Sequence, residues 1–362
     1  MKLVTFEVDT RLGPFERIGA LVDEHAVIID LVAAYGAYLR DIEQAPAAAA
    51  IASATVGSTM IYFFRGGGTS RRAAEQAIAF AHAAGAVEEI RGARGEDLKY
   101  QFDEVRLKAP VPRPNTLRDY TGFLRHMETF VKKTSLPDAT GGLLRQRPLY
   151  YKANPEMVLG PDELIPWPSF SEKLDIEVEP AIYIGLPGIN IAVDRAHEHI
   201  GGYTIFNDIS LRDTQMEELE LALNPWGLSK SKDAGGYPTG PCVVTPDEID
   251  STQLELVVRV NGEEWIRGNT RDMSWSFEEM IAYSSLEEPL CSGDCLAGGS
   301  PPNGTGSEIG RWVQPGDIVE CEISGIGVLR NTIGERAPNA VQGSGKEGGG
   351  RSSVEASRAE KV

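Results

Sequence analysis

Long apolar runs, basic residues and cysteines are all scarce in this chain, and each scarcity removes a class of function. No apolar stretch in the 362 residues approaches membrane-spanning length. The start, Met1-Lys-Leu-Val-Thr-Phe-Glu-Val-Asp, places acids where a secretory leader needs an apolar core. Fifty-three acidic residues against thirty-five basic ones leave a net charge of −18, which disfavours nucleic acid or an anionic membrane as a partner. An anionic small molecule is not excluded, because one arginine or a bound cation reverses the field locally. Cys242, Cys291, Cys295 and Cys321 are too few and too scattered for a disulfide framework. Cys291 and Cys295 have no second pair or histidine cluster nearby, so they read as core thiols. The expected setting is cytoplasmic.

What is present is the composition of a soluble globular protein, long enough to bury a sizeable core. Lys2–Val8 and Ile18–Leu31 carry short alternating β patterns, with Asp23-Glu24 read as a turn between two strands. An Ala-rich stretch, Ala45–Ala54, and a short apolar run, Met60–Phe64, come next. Thr69 or Ser70 is placed to cap a helix over Arg72–Gly85. Val105–Ala109 reads as a strand, and Pro110-Val-Pro-Arg-Pro114 as a stiff connector. Beyond it the signals are mostly β. Asn261-Gly262 predicts a tight hairpin, and Ile318–Ile323 with Gly327–Asn331 a strand pair around Ser324-Gly-Ile. The expected fold class is α+β: a small N-terminal α/β domain over residues 1–109, then a larger β-rich domain over 110–340. Residues 341–362 are Gly-, Ser-, Glu- and Arg-rich and read as a disordered tail.

The chemistry centres on Leu174-Asp-Ile-Glu-Val-Glu-Pro-Ala-Ile-Tyr-Ile-Gly185. In a strand, Asp175, Glu177 and Glu179 share one face. Neighbouring carboxylates repel unless a proton or cation lies between them, and their hard oxygens suit Mg²⁺, Mn²⁺ or Ca²⁺ better than zinc. A solvated acidic edge strand gives the same pattern, and Pro180 suggests an edge or a bulge. Four other segments carry polar groups of the right kind. Gly202–Asp213 is a strand ending in Asp208, Arg212 and Asp213. Arg118–His126 places Asp119 and His126 two helical turns apart. Leu228-Ser-Lys230-Ser-Lys232-Asp233 carries two lysines in a loop, and Gly298-Gly-Ser300-Pro leads to Ser307-Glu308-Ile-Gly. His197 and His199 look like ligands in Ala-His-Glu-His, but residues two apart on a helix diverge, so they read as surface.

Taken in order, Glu177-Val-Glu179, Phe206-Asn-Asp208-Ile-Ser-Leu-Arg212-Asp213, Asn269-Thr270 with Met273, and Pro315-Gly-Asp317 resemble the fumarylacetoacetate hydrolase family, over residues 110–335. Asp119 and His126 have that family's spacing as well. The resemblance implies a mixed β-roll as the larger domain and a homodimer. It implies a divalent cation, Mg²⁺ first with Mn²⁺ and Ca²⁺ as alternatives, on Asp119, Glu177, Glu179 and Asp208. It places His126 and Glu308 as the water-activating pair, Lys230 beside them, and Tyr151, Arg212, Gln215 and Ser300 on the substrate. Two departures stand out. Lys232 replaces the usual aromatic, so the lysine that reaches the site is Lys230 or Lys232. Gly298-Gly-Ser300 keeps one of two usual hydroxyls.

The implied activity is hydrolytic cleavage of a carbon–carbon bond in a small β-diketo acid such as an acylpyruvate. Such an acid can chelate a hard cation through two oxygens, while His126 draws a proton from water. A decarboxylase, isomerase or lyase working on an oxo acid through an enolate would use the same residues.

Overall fold

A computed structural model describes residues 1–11, 13–22, 27–83, 90–134, 142–220, 228–230 and 236–338. The Asp23-Glu24 turn, Lys232 and the 341–362 tail lie outside the described residues. Among the described residues, twelve strands form the larger sheet. Its main path runs Lys99–Gln101, Val27–Asp30, Gly13–Val22, Lys2–Thr10, Tyr237–Val244, Ile200–Asn207, Val178–Ile184, Cys295–Ala297, Leu117–Tyr120 and Tyr150–Ala153. The Lys2–Thr10 strand pairs with Tyr237–Val244, so the N-terminal portion extends the sheet of the rest. A second sheet of five strands runs Glu263–Asn269, Glu255–Val260, Ile318–Ile323, Gly327–Arg336 and Leu164–Trp167. The α+β, mixed-sheet architecture is the one expected from the sequence.

Alternation explains how the layers stack. Ile182 and Ile184 face a core shared with Val258, Cys321 and Leu329 of the second sheet. Ala181 and Tyr183, one residue out of phase, face a core shared with Phe63, Phe64, Ala73 and Ala77 of a long helix. That helix spans Met60–Ala83 and breaks at Gly67, whose φ of 52° is left-handed. The helical run beyond this break therefore starts only a few residues before the expected Arg72. Ser70 does not cap it; its hydroxyl donates to the Thr55 carbonyl. The helix Leu31–Asp41 is capped by Asp30, whose Oδ1 accepts from the Ala33 amide at 2.9 Å while its other oxygen pairs with Arg17.

The Asn261-Gly262 hairpin forms between Glu255–Val260 and Glu263–Asn269, with φ of 52° and 80° as a two-residue turn of that kind demands. Pro180 is neither at an edge nor at a bulge, because Val178–Ile184 lies between Ile200–Asn207 and Cys295–Ala297. Its carbonyl accepts from Gly298 at 2.8 Å, and its missing N–H faces the same side. The ladder with Cys295–Ala297 starts only at Ala181, so little pairing is lost. Cys242, Cys295 and Cys321 are buried, whereas Cys291 is exposed, on the turn leading into Cys295–Ala297. No helix among the described residues is long and apolar enough to cross a membrane.

Candidate active site

Three carboxylates meet at one end of neighbouring strands of the large sheet. Asp119 stands on Leu117–Tyr120, Glu179 on Val178–Ile184, and Asp208 follows the end of Ile200–Asn207. One oxygen from each lies within 4.8 Å of the others, and all three residues are buried. Burial first, and mutual repulsion second, push the carboxyls of Asp119 and Glu179 well above the ordinary range. Asp208 is raised too, through burial, despite Lys230 beside it. Such a trio is relieved by protons or by a cation, and an all-oxygen donor set of this charge fits Mg²⁺, Mn²⁺ or Ca²⁺.

The backbone around the trio is tightly constrained. Gly299 donates its amide to Glu179 Oε2 at 2.8 Å with a φ of +85°. A Cβ there would lie 2.5 Å from the Tyr120 carbonyl oxygen, so only glycine fits. Tyr151 donates its phenol to Asp208 Oδ1 at 2.9 Å. Burial and the nearby carboxylates raise its pKa, so it remains a donor.

Glu177 does not join the trio. Its Oε1 accepts from Lys230 Nζ at 2.8 Å and from the Ser210 hydroxyl, and lies 2.8 Å from Arg212. Burial opposes its charge, but Arg212 and Lys230 outweigh that and hold its carboxyl well below the usual range. Lys230 also bonds Asp208. Burial works against the Lys230 ammonium as well, yet Asp208 and Glu177 raise its pKa. Arg212 in turn donates to Asp175 Oδ2 at 2.7 Å and to Gln215 Oε1 at 2.9 Å. Arg212 is thus bonded to Gln215 and to two acids, Asp175 and Glu177.

Asp119 and His126 do not share a helix. Asp119 lies within the strand Leu117–Tyr120, and the helix Leu124–Thr134 starts after a three-residue connection, so His126 lines the same cavity as Asp119. His126 Nδ1 lies 3.0 Å from Glu308 Oε2, and its Nε2 lies 3.8 Å from Glu177 Oε2. Glu308 sits on the short turn Gly306–Ile309, capped by the Thr305 hydroxyl. Asp119, His126, Tyr151, Glu177, Glu179, Asp208, Arg212, Gln215, Lys230 and Ser300 line one cavity. Ser300 is buried there and donates to the Val178 carbonyl at 3.3 Å.

Sequence reasoning passed over Asn207, whose side chain accepts from the Glu177 amide at 3.0 Å, and Ser210 on Glu177. Both sit inside the Phe206–Asp213 stretch, but neither residue type signals chemistry by itself. His197 is exposed, and His199 Nδ1 lies 2.8 Å from the Leu186 carbonyl oxygen, away from this cluster.

Residues 117–334 match the family described as fumarylacetoacetate (FAA) hydrolase, C-terminal. An uncharacterized protein of Pyrococcus abyssi is 36% identical over 188 residues, covering 52% of this chain and 80% of its own length. The human mitochondrial oxaloacetate tautomerase FAHD2A is 31% identical over 236 residues, covering 64% of this chain and 70% of its own. A solved structure of maleylpyruvate hydrolase from Sphingobium sp. SYK-6, in complex with manganese (II) and pyruvate, aligns with a TM-score of 0.61. It is 21% identical and covers 93% of this chain and all of its own. At that identity the likeness is one of fold.

Proposed function

This chain belongs to the fumarylacetoacetate hydrolase family, and from that premise we propose a divalent-cation-dependent enzyme that moves a proton between carbon and oxygen in a small anionic oxo acid. Keto–enol tautomerisation of an oxo diacid such as oxaloacetate is the first reading. One observation carries it: the His126–Glu308 pair beside the buried trio of Asp119, Glu179 and Asp208. Bound by the trio, a divalent cation supplies Lewis-acid stabilisation of negative charge developing on the oxygens of the oxo acid. His126 takes the proton from the carbon next to the ketone and delivers it to the ketone oxygen, and Glu308 orients the imidazole and stabilises its charged form. Tyr151 and Lys230 fix Asp208 by hydrogen bonds. The human relative at 31% identity, named as an oxaloacetate tautomerase, supports this choice.

Hydrolytic cleavage of an acylpyruvate is the second reading, favoured by the placement of Arg212, Gln215 and Lys230 along the same cavity. It asks more of the site. Those groups must turn toward an oxyanion, and here each is already bonded to an acid or to its neighbour.

The test is to follow the ultraviolet signal of enol oxaloacetate, and separately the cleavage of an acylpyruvate, with Mg²⁺ or Mn²⁺ added. Ketonisation accelerated above buffer, with acylpyruvates left intact, supports the first reading. Fast acylpyruvate cleavage with no effect on ketonisation would replace it with the second.

A further inference from the structure

The helix Arg212–Glu220 buries a stripe made only of polar side chains. Arg212, Gln215 and Glu218 repeat every third residue on one face, while Met216 and Glu217 between them are exposed. The first two belong to the site described above. Glu218 does not line the cavity, yet it is only 9% exposed. Burying a carboxylate is costly unless hydrogen bonds repay it.

Glu218 grips both the backbone and the side chain of one residue, Ser229. The Ser229 amide donates to its two oxygens at 3.2 and 3.3 Å, and the Ser229 hydroxyl donates to Oε2. Ser229 is fully buried and directly precedes Lys230 on the one-turn segment Leu228–Lys230. A carboxylate gripping both the amide and the hydroxyl of one residue fixes that residue's backbone, and the following Cα with it. Lys230 then has one direction in which to extend, and its ammonium reaches Glu177, Asp208 and Ser210. Ammonium–carboxylate bonds of this kind are the stronger class, and they depend on placement.

We propose that Glu218 is a positioning residue for Lys230, acting through Ser229 to deliver the ammonium between Glu177 and Asp208. The effect on turnover rests on the functional reading given above, whereas the effect on Lys230 placement does not.

The primary experiment is therefore independent of activity. The folded protein is treated briefly with an amine-acetylating reagent, and the labelling of Lys230 is read by peptide mass spectrometry. Lys152, 58% exposed at its side chain, serves as reference. Lys230 should be protected in the native protein. In Glu218→Ala its relative labelling should rise at least about tenfold, the scale of losing one hydrogen bond to a charged group. Glu218→Gln keeps an acceptor for the Ser229 amide and should stay much closer to native. If Glu218→Ala does not fold, Ser229→Ala, which loses only the hydroxyl, decides by the same measurement, with a smaller rise expected. Unchanged protection in a folded Glu218→Ala or Ser229→Ala overturns the proposal.

A kinetic arm uses whichever oxo acid the enzyme turns over. Glu218→Ala should lower kcat about tenfold in the native background and have no further effect on top of Lys230→Met. Equal losses in both backgrounds would show a merely structural role and overturn the proposal. Failure of every oxo acid to react would count against the functional reading while leaving the labelling result to judge Glu218.

Discussion

His126 Nδ1 lies 3.0 Å from Glu308 Oε2, although the two residues come from a helix and a turn separated by almost half of the chain. Replacing Glu308 with Gln preserves its shape and removes its charge. The imidazolium then loses its stabilising partner. We expect kcat to fall about 10–10³-fold with KM little changed, as measured by steady-state kinetics. A variant with native kcat would show that Glu308 does not assist His126.

The buried trio sets a pH-dependent response to cation removal. Folding raises the carboxyl pKa values of Asp119, Glu179 and Asp208, so the metal-free native state holds protons more tightly than the unfolded chain. Stability from those groups is present below the ordinary carboxylate pKa of about 4 and is lost as pH rises toward the raised values. A bound cation removes that loss. Melting at pH 5 and pH 8, with Mn²⁺ or with chelator, should show a gain in Tm from Mn²⁺ that is larger at pH 8. A gain that is equal at both values, or absent, contradicts the assignment of the trio as ligands.

Gly299→Ala tests the backbone support of Glu179. The left-handed φ and the close Tyr120 carbonyl leave no room for a methyl group, so the Gly299 amide must move off Glu179. Mn²⁺ binding measured by calorimetry should weaken about tenfold or more, the scale of one hydrogen bond to a charged acceptor. Native affinity would show that this amide is dispensable.

Away from the site, Asp30→Ala removes both the cap of the Leu31–Asp41 helix and the buried partner of Arg17. The expected loss is about 3–5 kcal/mol of unfolding free energy, read by denaturant titration, with activity per folded molecule retained. A loss below about 1 kcal/mol would mean that Arg17 finds water or another acid.

The sequence was most legible where the signal is local. The Asn261-Gly262 hairpin, the strands flanking Ser324-Gly-Ile, and the alternating face of Val178–Ile184 follow from turn chemistry and period-two patterning. It was least legible where position depends on non-local packing. Helical spacing suggested that Asp119 and His126 meet on one helix; a strand and a helix bring them together instead. Glu177 and Glu179 looked equivalent. In the structure Lys230, Arg212 and Ser210 gather beside Glu177, whereas Glu179 lies with Asp119 and Asp208. Pro180 suggested an edge because the sequence cannot show where a neighbouring ladder ends.

The central claim is that His126 moves a proton to and from the carbon of an oxo acid beside a cation-binding trio. Its most direct test is deuterium incorporation at C3 of oxaloacetate, followed by NMR in D₂O with Mg²⁺, for the native protein and His126→Ala. The account predicts exchange above the buffer rate with the native protein, and a loss of about 10²–10⁴-fold in the variant with Mn²⁺ affinity retained. Exchange equally fast in both proteins, or none above buffer in the native protein, would contradict it.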